Sequence, residues 1–188
     1  MVGVDTSPRT YRFIPADVLA IGYRVVGKIM VTNTGAVGML NDPTHSILEI
    51  HDARTARIQA PTKLADHFEI VRMLKPQVCA VCLPRREDLG PQALVRGGYT
   101  NMIEYPARIS MQTFELEGVL EFPGRFDLTA IMSESSPTFI PLYNGSLTGI
   151  LTPGLRIETG GMLINRRQIG LVALLGQKVK QEKPTGAA

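Results

Sequence analysis

Cys79 and Cys82 stand three residues apart in a chain with no other cysteine. A C-x-x-C pair can give two thiolates to zinc or close a redox disulfide. Zinc asks for two further ligands, and His45, His51 and His67 form no H-x-x-x-H or other paired spacing that would supply them. The neighbours Val78, Ala80, Val81 and Leu83 instead describe a buried strand, on which positions three apart point to opposite faces. Structural thiols are the expectation, with a metal or redox role for Cys79 and Cys82 as the weaker alternative. His51 beside Asp52 and His67 after Asp66 read as surface or internally satisfied histidines.

Nucleophile and phosphate patterns are equally sparse. Ser133-Glu134-Ser135-Ser136 has no G-x-S-x-G around it. Gly160-Gly161 reads as a hairpin, not as part of a G-x-x-x-x-G-K-[ST] cradle. Glu115 and Glu117 lie two apart on one strand face, the spacing of a solvated surface. No catalytic set emerges and no cofactor is implied, so a non-enzyme is expected.

The basic residues carry what binding chemistry there is. Arg166-Arg167 precedes the last strand, where small barrels present loops, and guanidinium forks suit phosphate or carboxylate. Lys75 occupies the matching place earlier in the chain. Arg85-Arg86 is answered at once by Glu87-Asp88. No aromatic platform accompanies either doublet, so base stacking has little to build on. Surface solvation is one reading of these cations. The other makes Arg166, Arg167, Lys75, Arg85 and Arg86 the candidate ligand-binding residues.

The elements that position them come from a chain of 188 residues, 44% hydrophobic and 20% charged, with Gly 18 and Pro 13. That composition buries a core and suits a turn-rich β protein. Twenty basic against 17 acidic side chains leave a formal charge of +3, too small for a nucleic-acid footprint by itself. Two cysteines make no disulfide framework, the N-terminus shows no secretory signal, and the apolar stretch Ile169–Leu175 falls well short of the roughly 20 residues of a membrane helix. The expectation is a cytoplasmic protein that does not enter membranes.

Slid against itself by 91 positions, the chain repeats. Pro15-Ala16 falls on Pro106-Ala107, Gly27 on Gly118, Gln77 on Gln168 and Val81 on Val172. Tyr23, Val25, Gly27, Ile29 and Val31 alternate with their neighbours as Phe114, Leu116, Gly118, Leu120 and Phe122 do, the pattern of a half-buried strand. A glycine at the same interior point of both strands suggests a bulge or bend that curls the sheet. Ile47–Ala53 matches Phe139–Gly145 at an offset of 92, each a strand running into a turn, and Asn144-Gly145 is a strong hairpin signal. The predicted architecture is all-β: two duplicated, strongly bent, five-stranded barrel-like units packed in tandem. They cover 11–84 and 101–176, with a connector at 85–100 that holds a helical turn at Gln92–Arg96. A disordered tail follows at 177–188. In the second unit strands are expected at 103–111, 113–122, 137–143, 146–158 and 161–175, with turns at Pro123-Gly124, Asn144-Gly145, Pro153-Gly154 and Gly160-Gly161. Thr62–Leu74 has Leu64, Phe68 and Val71 at helix-compatible spacing, yet its aligned segment reads as strands, and strand is the reading adopted.

The bent strand with Gly118, the turn at Asn144-Gly145 and the closing Ile164-Asn165-Arg166-Arg167-Gln168-Ile169-Gly170-Leu171-Val172 resemble a tandem of Sm-like small β-barrels, and are similar to uncharacterised bacterial β domains. Sm-like RNA binders carry an Arg-Gly or Lys-containing turn before the last strand. Asn165-Arg166-Arg167 approximates it in position, and Lys75-Pro76 departs further. The resemblance implies ring formation and RNA contact. Together these features predict a non-catalytic assembly or adaptor module that presents sheet edges and loops to protein partners or to itself, as a homo-oligomer. The alternatives are a nucleic-acid or nucleotide-binding regulator using the arginine-bearing loops, and an enzyme whose site has no recognisable signature.

Overall fold

A computed structural model describes residues 11–91, 102–152 and 154–176. The helical turn expected at Gln92–Arg96 and the tail expected from Gln177 lie outside them. Ten strands dominate: β1 (Arg12–Ala20), β2 (Tyr23–Val31), β3 (Ile47–Arg57), β4 (Asp66–Leu74), β5 (Val78–Leu83), β6 (Met102–Met111), β7 (Phe114–Pro123), β8 (Phe139–Gly149), β9 (Arg156–Asn165) and β10 (Ile169–Leu174). Two short helices, α1 (Gly35–Asn41) and α2 (Leu128–Met132), sit in the β2–β3 and β7–β8 connections. The protein is all-β.

The strands form one antiparallel sheet in the order β10-β6-β7-β8-β9-β5-β1-β2-β3-β4. The first five run β5-β1-β2-β3-β4, and the second five take the same order as β10-β6-β7-β8-β9. Between them β5 pairs with β9 through Ala80↔Ile164, Val81↔Leu163, Cys82↔Met162 and Leu83↔Gly161. Separate barrel-like units were expected, but the sheet is open and continuous. The edge of β5 that could turn back onto β4 is occupied by β9, and β9 is likewise unavailable to β10.

Alternation decides which side chains go inside. On β1 and β2, Ile14, Ala16, Val18, Val25, Ile29 and Val31 fill one core with Leu48 and Ile50 of β3. Ala107, Ile109, Leu116, Leu120, Leu142 and Leu147 fill a second. Each core borrows across the joint: Phe139, Tyr143 and Leu163 enter the first, and Leu19, Ile58 and Ala80 enter the second. All six residues of β5 are buried, because both of its faces are covered. Cys79 and Cys82, expected on opposite faces, belong to the same core. The β1–β5 register slips between Leu19 and Ala20, leaving Cys79 as the extra residue of a bulge that breaks the alternation.

Gly27 and Gly118 sit where adjacent strands press together. A Cβ on Gly27 would lie 2.6 Å from the His51 carbonyl oxygen, and one on Gly118 would lie 2.8 Å from Leu142 Cγ and 2.9 Å from the Tyr143 oxygen. The ladders slip at these same points, between Val26 and Lys28 and between Glu117 and Val119, as a curling bulge requires. Opposite them Asp52 and Asn144 take positive φ, 49° and 47°. Asn144-Gly145 is therefore no hairpin: it is the bulged point of a single strand, β8, that replaces the expected turn. Gly160-Gly161 is also within a strand, β9. The segment at 62–74 contains strand β4, paired with β3 from Thr55↔Asp66 to Ile47↔Leu74, with no helix. One further link crosses between the halves. Asn41 at the end of α1 imitates a strand, its Nδ2 donating to the Phe139 carbonyl (2.9 Å) while its Oδ1 accepts from the Phe139 N–H (2.8 Å).

Candidate functional site

Each half enters its last strand through a 3-10 turn, Lys75–Gln77 before β5 and Arg166–Gln168 before β10. The opening residue of each turn is a buried cation, 7% and 5% exposed. A helix ends with unsatisfied carbonyls and a partial negative charge, and these cations meet both needs. Lys75 Nζ donates to the carbonyls of Met39 (2.7 Å) and Asp42 (3.1 Å) at the end of α1. Arg166 donates from Nη1 to Met132 (2.9 Å) at the end of α2 and from Nε to Pro137 (3.1 Å). Burial holds the Lys75 ammonium below its ordinary range, and Asp42 opposes that shift. Two of the five candidate ligand residues thus aim their charge into the protein. Arg167 is exposed, with its backbone N–H given to Asn165 Oδ1 (3.1 Å). Asn165 is wholly buried and donates to the Val78 carbonyl (2.9 Å), while Gln168 reaches the Pro76 carbonyl (3.2 Å), so the second turn is stitched onto the first.

The connector arginines are held as well. Asp88 has no exposed surface and accepts from Arg12 Nη1 (2.8 Å), Arg85 Nε (3.1 Å) and Arg85 Nη2 (3.1 Å). Asp88 keeps the Arg85 guanidinium above its ordinary value. Arg86 reaches Glu121 of β7 (2.8 Å) and lies 4.0 Å over the ring of Tyr143. Burial, with Glu121 nearby, raises the Tyr143 phenol. An aromatic partner does therefore accompany one doublet, contrary to the sequence reading, but Tyr143 is buried and its ring serves an internal contact. Four of the five candidates are engaged, at two helix ends, a connector carboxylate and a strand carboxylate; Arg85, though paired, is exposed, as is Arg167.

The first half carries a groove of about 1040 Å³ whose lining includes Tyr11, Met30, His45, Glu49, His51 and Lys75. His51 stands edge-on to Phe13 at 5.0 Å, and its buried Nε2 has no hydrogen-bond partner. Asp42 accepts from Thr44 N (2.9 Å), Thr44 Oγ1 (2.6 Å) and His45 (2.8 Å), which holds its carboxyl well below the usual carboxylate range. Thr44 Oγ1 also lies 2.9 Å from His45 Nδ1, the ring nitrogen that meets Asp42, so hydroxyl, imidazole and carboxylate are tied to one another within four residues of an exposed loop. His67 pairs with Asp52 at 2.8 Å. Among the described residues, no group of three or more His, Cys, Asp or Glu side chains could hold a metal ion. Burial raises both thiols, Cys79 to about 11 and Cys82 further, so neither is a ready nucleophile near neutrality. No helix among the described residues is long and apolar enough to cross a membrane.

The remaining unusual surface is the pair of strands that end the sheet. Among the described residues, β10 pairs with β6 alone and β4 with β3 alone. The β10 sequence, Ile-Gly-Leu-Val-Ala-Leu, has no charge and no proline, and exposes Leu171 (53%) and Leu174 (44%). β5 holds the same place in the first half and is entirely covered. Edges are usually protected by charge, proline or bulges, and β10 has only a slip near Gly170. No protein-family model, curated protein or solved structure matches the chain.

Proposed function

We propose that the protein is a non-catalytic assembly module: two copies of one five-stranded unit, joined in a single open sheet, whose free strand edges receive other protein chains. Duplication is supported by the recurring strand order, by the paired slips at Gly27 and Gly118, and by the matching cationic turns at Lys75 and Arg166. The observation that carries the reading is β10, an apolar strand with an open ladder edge in the position that its counterpart β5 fills completely. N–H and C=O groups that have no ladder partner among the described residues, beside exposed leucines, favour strand addition.

Size-exclusion chromatography with light scattering, run after nuclease treatment, tests this. The expected mass is a multiple of the 20.5 kDa chain, unchanged by nuclease. Replacing both exposed leucines, Leu171→Lys with Leu174→Lys, returns it to one chain with an unaltered circular dichroism spectrum. A wild-type protein that stays at the mass of one chain at tens of micromolar overturns the reading. A larger mass that nuclease abolishes does so too, in favour of nucleic-acid binding.

A further inference from the structure

We propose that the occupant of each free edge is the opposite edge of a second copy: β10 of one chain pairs antiparallel with β4 of the next. The inference rests on the assembly reading and specifies its partner, polarity and register.

The template is the joint inside the molecule. β5 and β10 hold equivalent places in the sheet order, as do β9 and β4. The pair β5–β9 is made once within the chain, so β10 and β4 are its two counterparts without a second strand partner among the described residues. Shifting the observed register by the 91-residue repeat places Leu171 opposite Met73 of the next chain, Val172 opposite Arg72, Ala173 opposite Val71 and Leu174 opposite Ile70. Seven of these eight side chains are apolar. The exception, Arg72, already has its charge met by Glu49 at 2.8 Å.

The faces agree as well. In the internal joint, Ala80 and Cys82 of β5 meet Ile164 and Met162, which belong to the core of the second half. In the proposed joint, exposed Leu171 and Ala173 meet Met73 and Val71, which already rest half-buried on the core of the first half. The two edges differ in sequence, so the contact has no dyad. One such contact always leaves one β4 and one β10 unused, and the assembly either closes or continues.

The test uses two variants, Ala173→Cys and Val71→Cys, in separately tagged chains produced together. Directly opposed positions bring Cβ atoms about 4.5–5.5 Å apart, within reach of a short bis-maleimide bridge. Cys79 and Cys82 are buried and do not compete. The expected result is a doubled mass on a denaturing gel that contains both tags and is absent from either variant produced alone. Ala173→Cys with Asp66→Cys, five residues and about 17 Å further along β4 and beyond the reach of the bridge, gives no such band. If Val71→Cys does not fold, Val172→Cys with Arg72→Cys reports the same register from the other face. A bridge within the Ala173→Cys chain alone shows β10 meeting β10 and overturns the inference, as does an assembled protein with no bridge in either mixed pair; both leave the assembly reading standing. A wild-type protein with the mass of one chain removes that reading as well.

Discussion

At Lys75 and Arg166 a side chain takes over what a helix cap ordinarily does. α1 and α2 have seven and five residues, and neither could hold its shape in water without help from outside the helix. Arg166→Met keeps the apolar stem but leaves the Met132 and Pro137 carbonyls without their charged donor. Removing such bonds costs about 1.5–3 kcal/mol, to be read as a lower urea midpoint. Lys75→Met is expected to act in the same direction. The cysteines give a pH prediction. The folded Cys79 thiol holds its proton up to about 11 against an ordinary 9.0, while the unfolded chain releases it near 9. The unfolded state is then the one favoured by alkali. Stability from this group is complete below pH 9 and lost as pH climbs toward 11. Urea midpoints measured from pH 7 to 10.5 should fall more steeply in the wild type than in a Cys79→Ala, Cys82→Ala variant. Equal slopes would mean that the thiols are not shielded.

Strands carry the next level of cause. At Gly27, Gly27→Ala drives a methyl to 2.6 Å from the His51 oxygen and 2.8 Å from Ile50 Cγ2, so β2 and β3 must part. Overpacking of this kind costs about 1–3 kcal/mol, measurable by chemical denaturation, and an unchanged midpoint would show that the bulge can open freely. Much of this level is legible in the sequence. The period-two alternation of Tyr23–Val31 and Phe114–Phe122 and the two interior glycines point to paired, bulged strands. What stays hidden is non-local. Asn144-Gly145 has the local chemistry of a hairpin, and only the pairing of both flanks with β7 and β9 makes it a bulge. Gly160-Gly161 also looks like a turn. Its glycines are needed because the connector crosses β9: Cβ atoms there would meet the Pro84 oxygen at 2.8 Å and Leu89 Cδ1 at 2.7 Å. The basic candidates escaped assignment for the same reason, since Lys75 finds its acceptors 33 and 36 residues away. α2 left one usable signal, Asp127, whose carboxylate caps Thr129 N at 2.8 Å and Ala130 N at 3.2 Å.

Across the whole molecule, the β5–β9 joint makes two sets of five strands into one cooperative body. Leu163 lies on β9 but belongs to the core of the first half. Leu163→Ala is expected to lower the stability of the entire protein by about 2–5 kcal/mol. Circular dichroism and the reactivity of Cys79 and Cys82 toward a thiol reagent should report one shared transition in wild type and variant. Separate transitions would show the halves unfolding independently. Asn41 adds a slower vulnerability to the same seam. Spontaneous loss of its amide requires the following backbone nitrogen to reach the side-chain carbon, a motion that the two bonds to Phe139 resist. Once deamidated, the residue would turn an anionic oxygen toward the Phe139 carbonyl, so chemical ageing at this single position would loosen the seam without any change of temperature or solvent.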